Sequence, residues 1–193
     1  MPGDFLRRAP QLTMEQFHAF RDERPKEKKW ELIDGLAVKE ERLALLHQRI
    51  ASNLQRLLNA RLGATRTQWQ ADRSVQVWLE GDEKYNPEPD VTVIDAAIAM
   101  GQIFVAEVLS ENDKKAVLDA KLAYYKEHDH NRSVLFVRQD QIGAQQHDRR
   151  NDGSWSQRTL RSPQASLTFP DIGTVGRLGD LYKHTPLDPF ASH

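Results

Sequence analysis

Glu107 sits inside the run Ile-Phe-Val-Ala-Glu-Val-Leu, with two apolar residues on either side. A carboxylate buried there without a partner costs several kcal/mol or gives up its charge, so the position calls for a cation. A second acid, Asp90, stands at the head of the preceding apolar run in Pro-Glu-Pro-Asp-Val-Thr-Val-Ile. If the two runs form an antiparallel pair in which Ile94 faces Ile103, Asp90 faces Glu107. Directly opposed side chains have Cβ atoms about 4.5–5.5 Å apart, where like charges repel. A bound divalent cation turns that repulsion into chelation. The plainer alternative places Glu107 at the sheet's end against an arginine or water and leaves Asp90 to begin a strand after Pro89.

A lysine supplies the third charge. Residues 113–128 carry a helical pattern in which Val117, Leu118, Leu122 and Tyr125 share one arc, and Lys121 falls inside it. An ammonium group facing the core needs a carboxylate or must lose its proton; the alternative is a lysine that snorkels past the helix edge. Lys114, Lys115 and Lys126 read as solvated or flanking charges. Glu31 alternates with Ile33 on a strand-like stretch and is the best candidate for a third acid, with a plain edge-strand charge as the competing reading. His47 lies on the apolar stripe of a long helix, either as a hydrogen-bonded core histidine or as a positioning or substrate-phosphate contact. Glu40 shares that face if the helix begins early, which makes it a reserve acid.

The elements that must position these groups follow from periodicity and punctuation. Thr13 and Gln16 form a capping-box pattern ahead of Met14, Phe17 and Phe20, so a short helix begins there and ends near Pro25. Residues 30–38 read as two strands turning at Asp34-Gly35. Leu43, Leu46, Ile50, Leu54, Leu57 and Leu58 recur at helical spacing up to Gly63, a natural stop. Val75, Val77 and Leu79 alternate with polar or exposed-type residues and predict a strand. Residues 91–94 and 103–109 predict more buried strands, residues 133–138 a further strand, and Asn151-Asp152-Gly153 a polar hairpin. The expectation is an α/β (α+β) chain with one mixed β-sheet flanked by helices. Residues 1–12 and 184–193 read as flexible ends around a single domain at 13–183.

Composition bounds the chemistry. The 193 residues hold 27 Lys and Arg against 28 Asp and Glu, so the formal net charge of -1 gives no global attraction to polyanions, and any nucleic-acid contact must be local. Arg149, Arg150, Arg158 and Arg161 flank the polar hairpin and are either a phosphate-tracking patch or dispersed surface arginines. With no cysteine, thiolate nucleophiles and sulfur-ligated zinc are excluded, and a metal must be held by oxygen and histidine. No run approaches the roughly 20 apolar residues needed to span a bilayer, and the first residues lack the apolar stretch of a signal peptide, so a soluble cytoplasmic protein without membrane partners is expected. Phosphate loops, His-Glu-x-x-His zinc motifs and nucleophile elbows do not occur.

The blocks TMEQF, WELIDGLAVKE, His47, PEPDVTVI, FVAEVLS and KLAYY, in this order and spacing, resemble the Uma-two family of restriction-endonuclease-like proteins in the PD-(D/E)XK nuclease superfamily. The similarity spans about residues 13–182, and its most specific parts are Pro89-Asp90, the Glu-Val-Leu-Ser block at 107–110, and Lys121 with Tyr125. The resemblance implies a restriction-endonuclease-like core in which Asp90 and Glu107, with the backbone carbonyl of Val108, bind Mg2+, for which Mn2+ can substitute. Where the superfamily usually has a lysine two residues after the Glu, this chain has Leu109. The family's lysine on the following helix corresponds to Lys121. An acid commonly found one turn before it is Val117 here, and the strand after the helix lacks the family's aromatic-rich pattern. The expected function is metal-dependent endonucleolytic hydrolysis of nucleic acid, DNA foremost, with catalysis by Asp90, Glu107 and Lys121, and a homodimer as a possible assembly. A catalytically silent binding module, or a structural domain with Lys121 and Glu107 as a buried ion pair, are the alternatives.

Overall fold

The computed structural model describes residues 11–25, 28–40, 45–98 and 101–191. Thr13 caps helix α1 (Met14–Asp22), accepting from the Gln16 amide at 3.3 Å while the Gln16 side chain accepts from the Thr13 amide at 2.9 Å. This reciprocal box satisfies two donors that the first helical turn leaves open. Strands β1 (Lys29–Ile33) and β2 (Leu36–Glu40) follow as a separate two-stranded sheet. Their turn puts Asp34 at φ 49° and Gly35 at φ 74°. Left-handed backbone at both central residues is what a type I′ hairpin requires.

Helix α2 (Leu45–Thr65) runs two residues beyond its expected stop. Gly63 is exposed with open space around it, and the Arg66 amide continues the ladder to the Leu62 carbonyl at 2.7 Å. A glycine inside a helix costs only about 1 kcal/mol, which the buried stripe of Ile50, Leu54, Leu58 and Leu62 outweighs.

The main sheet has six strands in the order β3 (Trp69–Asp72), β4 (Val91–Asp95), β5 (Gln102–Leu109), β6 (Ser133–Arg138), β7 (Ala144–Arg149) and β8 (Trp155–Leu160). Only β5 and β6 run parallel, and the crossover that parallel pairing demands contains helix α3 (Lys115–Glu127). The strand expected at residues 75–79 is not formed. Val77 is buried and its neighbours Gln76 and Trp78 are exposed, so the alternation is real. The backbone, however, bonds outside any ladder, the Val77 amide to the Pro87 carbonyl at 3.0 Å and the Leu79 amide to the Tyr124 hydroxyl at 2.9 Å.

Two cores lie on opposite faces of this sheet. On one, α2 packs over Val91, Val93, Phe104, Ala106, Val108, Leu135 and Val137. The hairpin of β9 (Ser166–Phe169) and β10 (Gly173–Arg177) and a 3-10 helix (Leu178–Tyr182) complete that layer. On the other face a smaller cluster joins Tyr124 and Tyr125 of α3 to Val105, Val134, Phe136 and Val77. The segment 184–191 makes specific contacts where a loose end was expected. Phe190 lies under the Arg177 guanidinium, 4.4 Å from ring centroid to carbon, and approaches Gly179 so closely that a Cβ there would meet the ring at 2.7 Å. No described helix is long and apolar enough to cross a membrane.

Candidate active site

The site forms where β4 begins beside β5. The two strands pair as Val91↔Ala106, Thr92↔Val105 and Val93↔Phe104, and then a bulge shifts the partner of Ile94 to Gln102. The expected pairing of Ile94 with Ile103 is therefore not made. The extra residue lies toward the connecting loop, so at the far end the register continued by one step still sets Asp90 opposite Glu107. Past the start of β4 a side chain takes over the ladder: Asp90 Oδ2 accepts from the Val108 amide at 2.8 Å.

His47, in the first turns of α2, reaches Asp90 Oδ1 from its Nε2 at 2.7 Å. An ionised carboxylate only accepts, so the imidazole donates in that bond. His47 Nδ1 is buried with no hydrogen-bond partner among the described residues. His47 and Asp90 are 3% and 5% exposed, which removes solvent competition from the contact.

Glu107 points to the α3 face. Its Oε1 accepts from the Lys121 ammonium at 3.0 Å and from the Tyr125 hydroxyl at 2.6 Å. Lys121 and Tyr125 lie one helical turn apart, which brings both side chains to the same carboxylate. Burial, with the Glu107 charge beside it, holds the Tyr125 hydroxyl well above the usual phenol range, so it remains a donor. Lys121 also lies 2.6 Å from Glu31 Oε2, and Glu31 Oε1 accepts from the Glu88 amide at 2.6 Å. Glu31, Glu107 and Lys121 are all at least 95% buried.

Asp90, Glu107, Lys121, Glu31, His47 and Tyr125 are thus drawn into two linked groups, Asp90 with His47 and Glu107 with Lys121, Tyr125 and Glu31. The Val108 amide ties Asp90 to the residue after Glu107. Glu40 stands apart from the reasoning that proposed it. It ends strand β2 opposite Lys29 and is not an early turn of α2, and its side chain lies outside the described residues. Arg149 does not face a phosphate path, because its guanidinium bonds the carbonyls of Lys126, His128 and Asp129 at the end of α3.

Sequence reasoning missed Lys29 and Glu88. Lys29 donates to the Glu88 carbonyl at 2.6 Å and lies 3.9 Å from Glu31. The available signal was the strand period of two, which sets Lys29 on the same side of β1 as Glu31. Among the described residues, no group of three or more His, Asp and Glu side chains is arranged to hold a metal ion.

The chain matches the Uma2 family, described as "Putative restriction endonuclease", over residues 14–176. Among solved structures it is similar to a putative nuclease belonging to DUF820 from Anabaena variabilis, with a TM-score of 0.71, 15% sequence identity, and 89% of this chain and 97% of that chain covered. At that identity the likeness speaks for the fold alone. No curated protein matches the chain.

Proposed function

The chain belongs to the Uma2 family, and from that premise we propose that it is a divalent-metal-dependent nuclease hydrolysing phosphodiester bonds of nucleic acid, with DNA as the substrate. The observation that carries the reading is the register of β4 and β5, which continued one step past Val91↔Ala106 sets Asp90 opposite Glu107, with Lys121 on Glu107 at 3.0 Å. Asp90, Glu107 and the Val108 carbonyl would hold the ion, Mg2+ or Mn2+. Their chemistry fits, since all are hard oxygen donors and each Asp90 oxygen takes one hydrogen bond and keeps a second lone pair. Mg2+ keeps several waters and needs only one or two carboxylates, so a cage of three side chains is not required. When bound, such an ion polarises the scissile phosphate and acidifies the attacking water.

The chain's own groups have separate tasks in this reading. His47 fixes the rotamer of Asp90, and the Tyr125 hydroxyl, donating at 2.6 Å, fixes that of Glu107. Lys121 orients the water or offsets charge developing on the phosphate. Glu31 has one oxygen on the Glu88 amide and the other on Lys121, which suits it to holding the lysine.

A second reading is a silent binding or structural domain. The observation on its side is that Lys121 bridges Glu31 and Glu107 at 2.6 and 3.0 Å, an arrangement that neutralises charge by itself. A cleavage assay on single- and double-stranded DNA with Mg2+ or Mn2+ separates the two. The nuclease reading expects metal-dependent cutting by the wild type that both Asp90→Ala and Glu107→Ala abolish. Equal cutting by all three proteins, or none by the wild type, would favour the silent domain.

A further inference from the structure

Lys29 and Glu31 grip both main-chain groups of Glu88. The Lys29 ammonium donates to the Glu88 carbonyl at 2.6 Å, and Glu31 Oε1 accepts from the Glu88 amide at 2.6 Å. Lys29 also lies 3.8 Å from the Glu88 carboxylate, and its side chain is only 11% exposed. Glu88 stands between Pro87 and Pro89, which have no amide hydrogen to give, and β4 does not begin until Val91. Sheet hydrogen bonding therefore does not fix this stretch. One step earlier the β1 backbone takes part too, where the Asn86 amide donates to the Leu32 carbonyl at 2.8 Å. The next residues in the chain are Pro89 and then Asp90.

We infer that Lys29 and Glu31 are positioning residues which, by clamping Glu88, set the Asp90 carboxylate against the Val108 amide. Glu31 thereby serves both halves of the site, reaching Asp90 through the Glu88 backbone and Glu107 through Lys121, and it acts as a brace and not as a third metal ligand. The bearing on metal binding rests on the nuclease reading above; the positioning itself does not. Lys29 belongs to the separate β1–β2 sheet, so this hairpin is tied to the site by side-chain chemistry as well as by packing.

The test reads the Val108 amide by hydrogen exchange in the metal-free protein, comparing wild type with Lys29→Met and Lys29→Arg, and then titrates each with Mn2+. Lys29→Met should lower Val108 protection about tenfold and weaken Mn2+ binding by about 10- to 100-fold, the range for losing a group that supports a ligand. Lys29→Arg, which keeps the charge and the donors, should recover most of both. Unchanged Val108 protection in Lys29→Met overturns the inference. Should Lys29→Met fail to fold, Lys29→Gln, which keeps a donor for the Glu88 carbonyl but no charge, replaces it with protection expected between wild type and Asp90→Asn; protection equal to wild type overturns the inference. Wild-type Mn2+ binding that is absent, or indifferent to Asp90→Asn, would instead sink the metal reading and leave the amide result to judge the clamp.

Discussion

The two faces of strand β5 carry opposite kinds of side chain. Toward α2 it presents Phe104, Ala106 and Val108 to a large apolar core. Toward α3 it presents Val105 and then Glu107, in a layer that also buries Lys121 and, from β1, Glu31. Burial stabilises the first face at about 25 cal/mol per Å² of apolar surface removed from water. On the second, each ion's desolvation must be repaid by contacts of good geometry, and apolar residues of equal volume often do as well or better. The α2 face accordingly secures the sheet, while the α3 face maintains a costly charge cluster that stability alone does not call for.

Lys121→Met is the strongest way to break that contrast. It leaves Glu31 and Glu107 buried without the cation at 2.6 and 3.0 Å and should cost about 3–5 kcal/mol in a denaturant melt. On the nuclease reading, divalent ions should return part of the loss by binding the acids that remain; a mutant and a wild type both indifferent to metal would reduce the cluster to a structural ion pair. Leu54→Ala, on the α2 face, should cost about 2–5 kcal/mol through the cavity it leaves, while the Mn2+ affinity of the folded protein stays at the wild-type value. Weakened affinity there would mean that the apolar packing of α2 also sets His47, and through it Asp90. Tyr125→Phe removes one charge-assisted hydrogen bond of 2.6 Å to Glu107 and should cost about 1.5–3 kcal/mol.

Acidification acts more gradually, again through the α3 side. Burial lowers His128 to about 4, with Asp82 and Asp129 opposing; burial also lowers His147 to about 4, with Lys126 assisting and Asp148 opposing. The unfolded chain, with histidines near 6.5, binds more protons than the folded one between these values. This part of the stability is full above pH 6.5 and is lost as the pH falls toward 4. Thermal melts across that interval should show the decline, and His147→Gln should flatten it.

The sequence was most readable where one pattern had one structural outcome. The leucine stripe of α2, the Asp34-Gly35 turn and the inward Lys121 follow directly from helical or hairpin geometry. Residues 75–79 show where that stops: a segment packed on one side alternates whether or not its backbone joins a ladder, and here Pro87 and Tyr124 supply the partners. Gly63 was misread because its open surroundings let the helix pass. The assumed pairing of Ile94 with Ile103 was lost to a bulge, while the register expected from Val91 to Val93 was kept because the bulge lies on the loop side. The contacts of His47 with Asp90 and of Lys29 with Glu88 join residues 43 and 59 positions apart, a proximity that only the folded chain creates.

A crystal soaked in Mn2+ and recorded at the manganese absorption edge tests directly whether Asp90 and Glu107 hold a divalent ion. The expected result is an anomalous peak held by the carboxylates of Asp90 and Glu107, absent from crystals of Asp90→Asn. A crystal saturated with Mn2+ that shows no peak there, with Lys121 still seated between Glu31 and Glu107, would contradict it.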